Sequence, residues 1–183
     1  MTKQNFKILI TGSPGVGKTS LANILSNTVK LGLIPELSRL ICNELGFVSP
    51  TAIPDSLVFN YQVLNRQLEA ENKLDTFIAD RGVVDCYAQY QRWHLASAMT
   101  SDAEKYYQLC LAHAQKYTHI IFIPQMFAVK EDGFRWTDAI YLLQIERLIK
   151  STLYDFNLLS RTYFVQNDNL DLRLEEVIQW LCA

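Results

Sequence analysis

The chain has 183 residues, 49% of them apolar and 20% charged, which fits one globular domain with a full core and leaves little room for a second. Its 17 basic and 19 acidic side chains leave a net charge of −2, so electrostatics gives no reason to expect nucleic acid as a partner. No apolar run approaches the ~20 residues that cross a bilayer, and residues 1–10 have too short an apolar core for a signal peptide, so a cytoplasmic protein is expected.

In chain order, residues 6–11 form a short apolar run stopped by glycine and read as a buried strand. Residues 18–29 follow with Leu21, Ile24, Leu25 and Val29 at helical spacing. Residues 31–34 suggest a second strand. Pro35 is placed to open a helix with Leu37, Leu40 and Ile41 along one face. After a loop over residues 46–54, Asp55 or Ser56 is expected to cap a long helix striped by Leu57, Tyr61, Leu64 and Leu68.

Residues 76–80 read as a strand ending in an acid, and a helix starts near Val83. Ser101 and Glu104 have the spacing of a capping box for the next helix. Residues 119–123 are a clear strand stopped by Pro124, and residues 124–137 are an irregular charged segment. A helix over residues 138–156 turns Leu142, Ile145, Ile149 and Leu153 inward. A last strand at 162–165 precedes a closing helix striped by Leu170, Leu174, Val177, Ile178 and Leu181. Five strands alternating with helices predict an α/β fold, a parallel sheet covered on both faces, as one domain over residues 1–183. Cys42, Cys86, Cys110 and Cys182 are scattered in apolar stretches without metal-ligand spacing and read as reduced, buried thiols.

The strongest motif is Gly12-Ser13-Pro14-Gly15-Val16-Gly17-Lys18-Thr19, a full match to G-x-x-x-x-G-K-[ST] between a strand and a helix, with Ser20 next in line. Such a pattern arises by composition in roughly one chain of this length in a hundred or fewer. Its glycines let backbone N–H groups surround a β-phosphate, and the following helix points its positive end at the same anion. Lys18 is expected to reach the β- and γ-phosphates, and the Thr19 hydroxyl to coordinate Mg²⁺. A glycine-rich turn with an incidental lysine is the plain alternative.

Asp80, at a strand end, suits the magnesium-directing carboxylate, although an aspartate there also caps helices. Arg81 beside it faces either phosphates, an acceptor or solvent. Glu36 and Arg39 lie three apart after the second strand, where strand carboxyl ends face the ligand crevice. Glu36 is then a candidate to act as general base for an acceptor hydroxyl or to hold it in line. The charged segment 130–136, with Asp132, Gly133 and Arg135, suits a lid that brings Arg135 over the γ-phosphate. Phe47, Phe59, Tyr61, Tyr87, Tyr90 and Trp93 offer stacking surfaces for a flat acceptor, although their spacing also fits buried helix faces.

Taken together, the loop at 12–19, Glu36-x-x-Arg39, Asp80 and Asp132-Gly133-x-Arg135 resemble, in the same order, the small P-loop kinases and the kinase-like ATPases grouped with AAA domains. The likeness is nearest to the ribosylnicotinamide kinase domain of the bacterial NAD-biosynthesis regulator. It spans about residues 6–150. The resemblance implies a five-stranded parallel sheet in the order 2-3-1-4-5 and an ATP·Mg-dependent kinase with Glu36 and Asp80 lining the acceptor side. Where that family has Asp-x-Asp after its third strand, this chain has Asp80-Arg81-Gly82, which looks more like the Asp-Arg of nucleoside monophosphate kinases. The expected partners are a nucleoside triphosphate and a small acceptor, probe classes being nucleosides, nucleotides and ribosylnicotinamide-like compounds.

Three rivals stand beside this reading. A regulatory GTPase needs an N/T-K-x-D motif after a late strand, where this chain has Ile123-Pro124-Gln125-Met126. A mechanical AAA ATPase pairs its strand-end aspartate with glutamate, where this chain has Arg81. An ATP-binding regulatory module with no small acceptor is the third.

Overall fold

Short runs of β-branched, aromatic and leucine residues build five strands: β1 (Lys7–Thr11), β2 (Leu33–Ile34), β3 (Phe77–Asp80), β4 (His119–Phe122) and β5 (Thr162–Phe164). The computed structural model describes residues 5–126 and 137–183. All four pairings are parallel and the order is β2-β3-β1-β4-β5, as the sequence led one to expect. The seven helices of the described residues are α1 (Lys18–Val29), α2 (Leu37–Glu44), α3 (Ser56–Asn72), α4 (Val83–Trp93), α5 (Thr100–Ala114), α6 (Ala139–Asp155) and α7 (Leu170–Leu181).

Alternation along the central strands sorts the core into two layers. Ile8 and Ile10 of β1, Ile78 of β3 and Ile121 of β4 point to one face and pack with Leu21, Leu25 and Val177 of α1 and α7. Leu9, Phe77, Ala79, Ile120 and Phe122 point to the other and pack with α3, α4, α5 and α6 through Leu64, Val84, Tyr106 and Ile149. Both faces being covered, the middles of these strands are apolar on both sides, with polar residues only at their ends, as a buried parallel sheet requires.

Several local expectations need correction. Pro35 lies outside α2, whose N-cap is Glu36, and Leu40 is exposed while Leu37 and Ile41 are buried. In α3 Asp55 is the cap, accepting from Val58 N at 2.9 Å, but Leu57 is exposed and the buried side carries Phe59, Leu64, Gln67 and Glu71. The Ser101–Glu104 capping box does not form. Helix α5 starts at Thr100, two residues early, so Met99 takes the cap position and Ser101 falls inside the first turn. Cys42, Cys86 and Cys110 are buried free thiols, but Cys182 is exposed because it follows the last turn of α7.

The unexpected burial of Gln67 and Glu71 has a purpose in the fold. Glu71 accepts hydrogen bonds from Gln67 Nε2 (2.6 Å) and Tyr117 Oη (2.9 Å), and pairs with His113 Nε2 (2.7 Å). Gln67 Nε2 also lies 3.2 Å from the Arg81 carbonyl, and Tyr117 Oη accepts from Val83 N at 3.0 Å. This network pins the turn between β3 and α4, where Arg81 sits in the left-handed region at φ 75°. Gly82 is required there by space: a Cβ would come within 2.3 Å of Tyr117 Oη and 2.8 Å of Leu9 Cδ1. Tyr117→Phe removes one hydroxyl and leaves two buried partners short of a bond. It should lower the unfolding free energy by about 1–3 kcal/mol with an unchanged denaturant slope; a loss below about 0.5 kcal/mol would show that the network does not hold this turn.

Candidate active site

The carboxyl ends of β1, β2 and β3 converge on one crevice, and each contributes a different kind of group. After β1 the chain turns through Gly12, Gly15 and Gly17 with φ of 144°, 82° and 92°, conformations that side chains disfavour. At Gly12 an added Cβ would also lie 2.4 Å from the Ile123 carbonyl oxygen. The loop then enters α1 at Lys18, so the first N–H groups of that helix, which have no intrahelical acceptor, face the loop's interior. Ser13 Oγ donates to Gln125 Oε1 at 2.9 Å, tying the loop to the end of β4. Pro14 and Val16 fill the remaining loop positions, Val16 fully buried, and Ser20 is exposed on α1.

Lys18 is 5% exposed and its Nζ donates to the Ser13 carbonyl at 2.7 Å. Burial, and after it the Arg81 guanidinium, lower its pKa from 10.5 to about 7, against the opposite pull of Asp85, Asp80 and Glu36. Such a lysine is electrostatically starved of an anion. Thr19 Oγ1 donates to Asp80 Oδ2 at 2.6 Å. Asp80 is 1% exposed, and its Oδ1 is buried without a hydrogen-bond partner among the described residues. A hydroxyl and a buried carboxylate with spare acceptor capacity are the hard oxygen donors that magnesium takes, with phosphates and water completing its shell. Among the described residues no group of three or more His, Cys, Asp or Glu stands ready to hold a metal alone. The donor set therefore fits a metal that arrives with a phosphate ligand.

Glu36 is the N-cap of α2, and Arg39 follows one turn on, within the helix. Their ion pair is long, 3.7 Å from Arg39 Nε to Glu36 Oε2. The close partner of Glu36 is Arg81, whose Nε donates to Oε1 at 2.7 Å while its Nη1 reaches Asp85 Oδ1 at 3.2 Å. Asp85 in turn accepts from the Gly82 N–H at 3.1 Å and so caps α4. Burial by itself would raise the Glu36 carboxyl, but the Arg81 and Lys18 cations outweigh it and hold its pKa at about 2. For Arg81 the same balance runs the other way: burial disfavours its charge, and Glu36, Asp85 and Asp80 more than restore it. Burial raises Asp85, opposed by Arg81 and Lys18.

These residues border a cavity of about 350 Å³, within the lower part of the ~300–1,000 Å³ range of small-molecule sites. It touches the phosphate loop at Pro14 and the acid–base cluster at Glu36, Arg81 and Asp85. Its other walls carry amides (Asn60, Gln67, Gln89) and aromatic rings (Phe59, Trp93, Tyr141). Of the aromatic residues marked in the sequence, Phe59 and Trp93 reach the cavity. Tyr87 and Tyr90 are core residues, Tyr90 stacked on Tyr106 at 4.1 Å, and Phe47 and Tyr61 do not line it. Asp85, Gln89 and Tyr141 escaped the sequence reading. The i,i+4 spacing of Arg81 and Asp85 was the one signal for them, hidden by the strand–helix junction between the two. Arg135 and the rest of the lid segment expected at 130–136 lie outside the described residues.

A family model described as an AAA domain matches residues 7–166. Among solved structures, a NadR protein in complex with NR superposes with a TM-score of 0.77 at 15% identity, covering 97% of this chain and 51% of that one. The chain thus spans about half the length of that protein. A deoxyadenosine kinase from M. mycoides with the product dCMP bound gives a TM-score of 0.70 at 14% identity over 97% and 98% of the two chains. A shikimate kinase from Aquifex aeolicus gives 0.58 at 14% identity over 95% of each. At such identities the likeness is one of fold, and the fold is that of the small P-loop kinases expected from the motif order. A comparison with curated protein sequences yields no match.

The depressed Lys18 pKa makes a prediction about ligand binding. The free protein loses the Lys18 proton above about pH 7, whereas an anion in the loop stabilises the ammonium form. Binding of a nucleoside triphosphate should therefore take up close to one proton on the alkaline side of pH 7 and almost none below about pH 6. Calorimetry in buffers of different ionisation enthalpy measures this directly. Buffer-independent heats at pH 8 would mean that Lys18 is already charged in the free protein.

Proposed function

The chain belongs to the AAA-domain family of that model, and on this premise we propose that it is an ATP·Mg-dependent phosphotransferase acting on a hydroxyl of a small, nucleoside-like acceptor. The observation that carries the proposal is the cavity that joins Pro14 of the phosphate loop to Glu36 and Arg81. An acceptor in that space lies between a carboxylate and the loop that would hold the donor. In this reading the loop amides of residues 12–20 and Lys18 cradle the β- and γ-phosphates, while Thr19 and Asp80 hold the magnesium ion, which supplies charge neutralisation.

The electrostatics selects among roles and acceptors. A carboxyl with a pKa of about 2 is a poor proton acceptor at neutral pH, because an effective general base has a pKa near the working pH. Phosphoryl transfer through a loose transition state asks more for alignment than for early deprotonation. Glu36 is accordingly assigned to accept a hydrogen bond from the acceptor hydroxyl and aim it, and Arg81 to fix Glu36. Two carboxyl groups and one guanidinium line the cavity, and that guanidinium is already paired with both. A neutral or cationic acceptor is therefore favoured over one that brings its own phosphate, which supports nucleosides or ribosylnicotinamide-like compounds ahead of nucleotides. Amides for hydrogen bonding and rings for stacking suit a flat heterocycle.

The deciding experiment follows ADP release with ATP and magnesium against nucleosides, ribosylnicotinamide and nucleoside monophosphates, with the product weighed by mass spectrometry. At least one unphosphorylated acceptor should accelerate turnover strongly and gain one phosphate. Turnover that ignores the whole panel would leave the ATP-binding module as the better reading, and a preference for monophosphates would overturn the charge argument. Lys18→Ala should abolish transfer. Glu36→Gln should cut kcat by about a hundredfold through misalignment while ATP affinity stays within a few-fold. Equal losses in both quantities would remove Glu36 from acceptor alignment.

A further inference from the structure

Helix α7 carries a buried charge that the motifs do not account for. Arg173 is 2% exposed, and its guanidinium reaches loops that follow three of the strands. Nη1 donates to the Val16 carbonyl at 2.7 Å, Nε to the Asn167 carbonyl at 2.7 Å, and Nη2 approaches Met126 Sδ at 3.7 Å. Burying a guanidinium is costly without such acceptors, and the acids nearest to it electrostatically are Asp168 and Glu176. The contact with Val16 spans 157 positions and lands within the phosphate loop itself.

The geometry of a peptide unit gives this contact a consequence. Among the described residues no peptide bond is cis, and in a trans unit the C=O and N–H point in opposite directions. With the Val16 carbonyl turned out toward Arg173, the N–H of the same unit, that of Gly17, is turned the other way, into the loop. Gly17 is left-handed at φ 92°, and a Cβ on it would stand 3.1 Å from Arg173 Nη1, so a side chain would compete with the guanidinium for the place. A cation on the carbonyl oxygen also draws electron density from the peptide and strengthens its N–H as a donor.

We infer that Arg173 is a positioning residue for the phosphate loop, fixing and polarising the Val16–Gly17 peptide from α7 so that the Gly17 N–H is presented to a donor phosphate. The inference rests on the nucleotide-binding part of the function proposed above. Because α7 lies beyond the 7–166 family match, it makes the last helix part of the site.

Two variants of the full chain test it. Arg173→Lys keeps the charge and loses the fork; Arg173→Gln keeps a donor and loses the charge. Calorimetry with ATP and with ADP should show both weakened by about ten- to hundredfold, the range for one hydrogen bond to a charged group, with lysine the milder change. The acceptor KM, and kcat at saturating ATP, should hardly move. The Gly17 amide proton resonance of the ADP complex should shift upfield relative to the parent protein. A tie that merely anchored α7 would lower the melting temperature and shift both KM values together while leaving the Gly17 resonance in place. Parent-like ATP and ADP affinities in both variants overturn the role of Arg173 but not the kinase reading, whereas a parent protein that binds no purine triphosphate overturns both. Should Arg173→Gln fail to fold, Arg173→Lys and its Gly17 resonance decide alone.

Discussion

One largely enclosed guanidinium, that of Arg81, organises the crevice. Arg81 stands between Glu36 and Asp85, close enough to Lys18 to depress its pKa, and its own backbone is held in the left-handed region. Remove it and two carboxyl groups in a poorly solvated pocket lose the only cation among the described residues that touches both, leaving Lys18 and the more distant Arg39 to offset them. The cluster holds only because its members settle one another: Glu36 stays ionised against burial, and the two acids keep the guanidinium charged. The polar layer of Gln67, Glu71, His113 and Tyr117 lies beneath the turn and fixes the main chain on which Arg81 is mounted.

This arrangement divides the labour of the sheet. The phosphate loop follows the central strand β1, the acidic cluster is built on β2 and β3, and the loops after β4 and β5 meet Arg173 on the opposite side. The chain runs from β1 out to β2 and back to β3 on one flank, then crosses from β3 to β4 and β5 on the other, which opens a crevice at the point where the order reverses. In the proposed phosphotransferase, acceptor and donor would approach from opposite flanks and meet over the loop between them. The largest shares of the cavity walls come from α3 and α4, which pack on the face of the sheet away from α1 and α7, so its shape can vary with little disturbance to the phosphate loop.

How much of this was legible in the sequence depended on the distance over which each feature acts. The loop at 12–19 is local, so its identity, its flanking strand and its helix all read directly. Strand order followed from the resemblance, and the buried faces of α6 from their spacing alone. The buried side of helix α3 is not legible from hydrophobic period, because it carries Gln67 and Glu71 while Leu57 is exposed. The sequence does not place Arg81, since its partners Glu36 and Asp85 lie 45 positions before it and across a strand–helix junction. No pattern in a single chain links Arg173 to Val16, and that contact came only with the fold.

The position of β1 also bears on how the protein is made. This strand is first in sequence yet central in the sheet, paired with β3 at Phe77–Asp80 and β4 at His119–Phe122. On the ribosome it has to wait, apolar and unpaired, for both neighbours to emerge. The loop it carries waits longer still: its last support is Arg173, 157 residues further along, or roughly 8–30 s of elongation. A growing chain would thus display the complete nucleotide signature well before it had the means to grip one, and competence for ligand would come late, close to the moment the last helix docks.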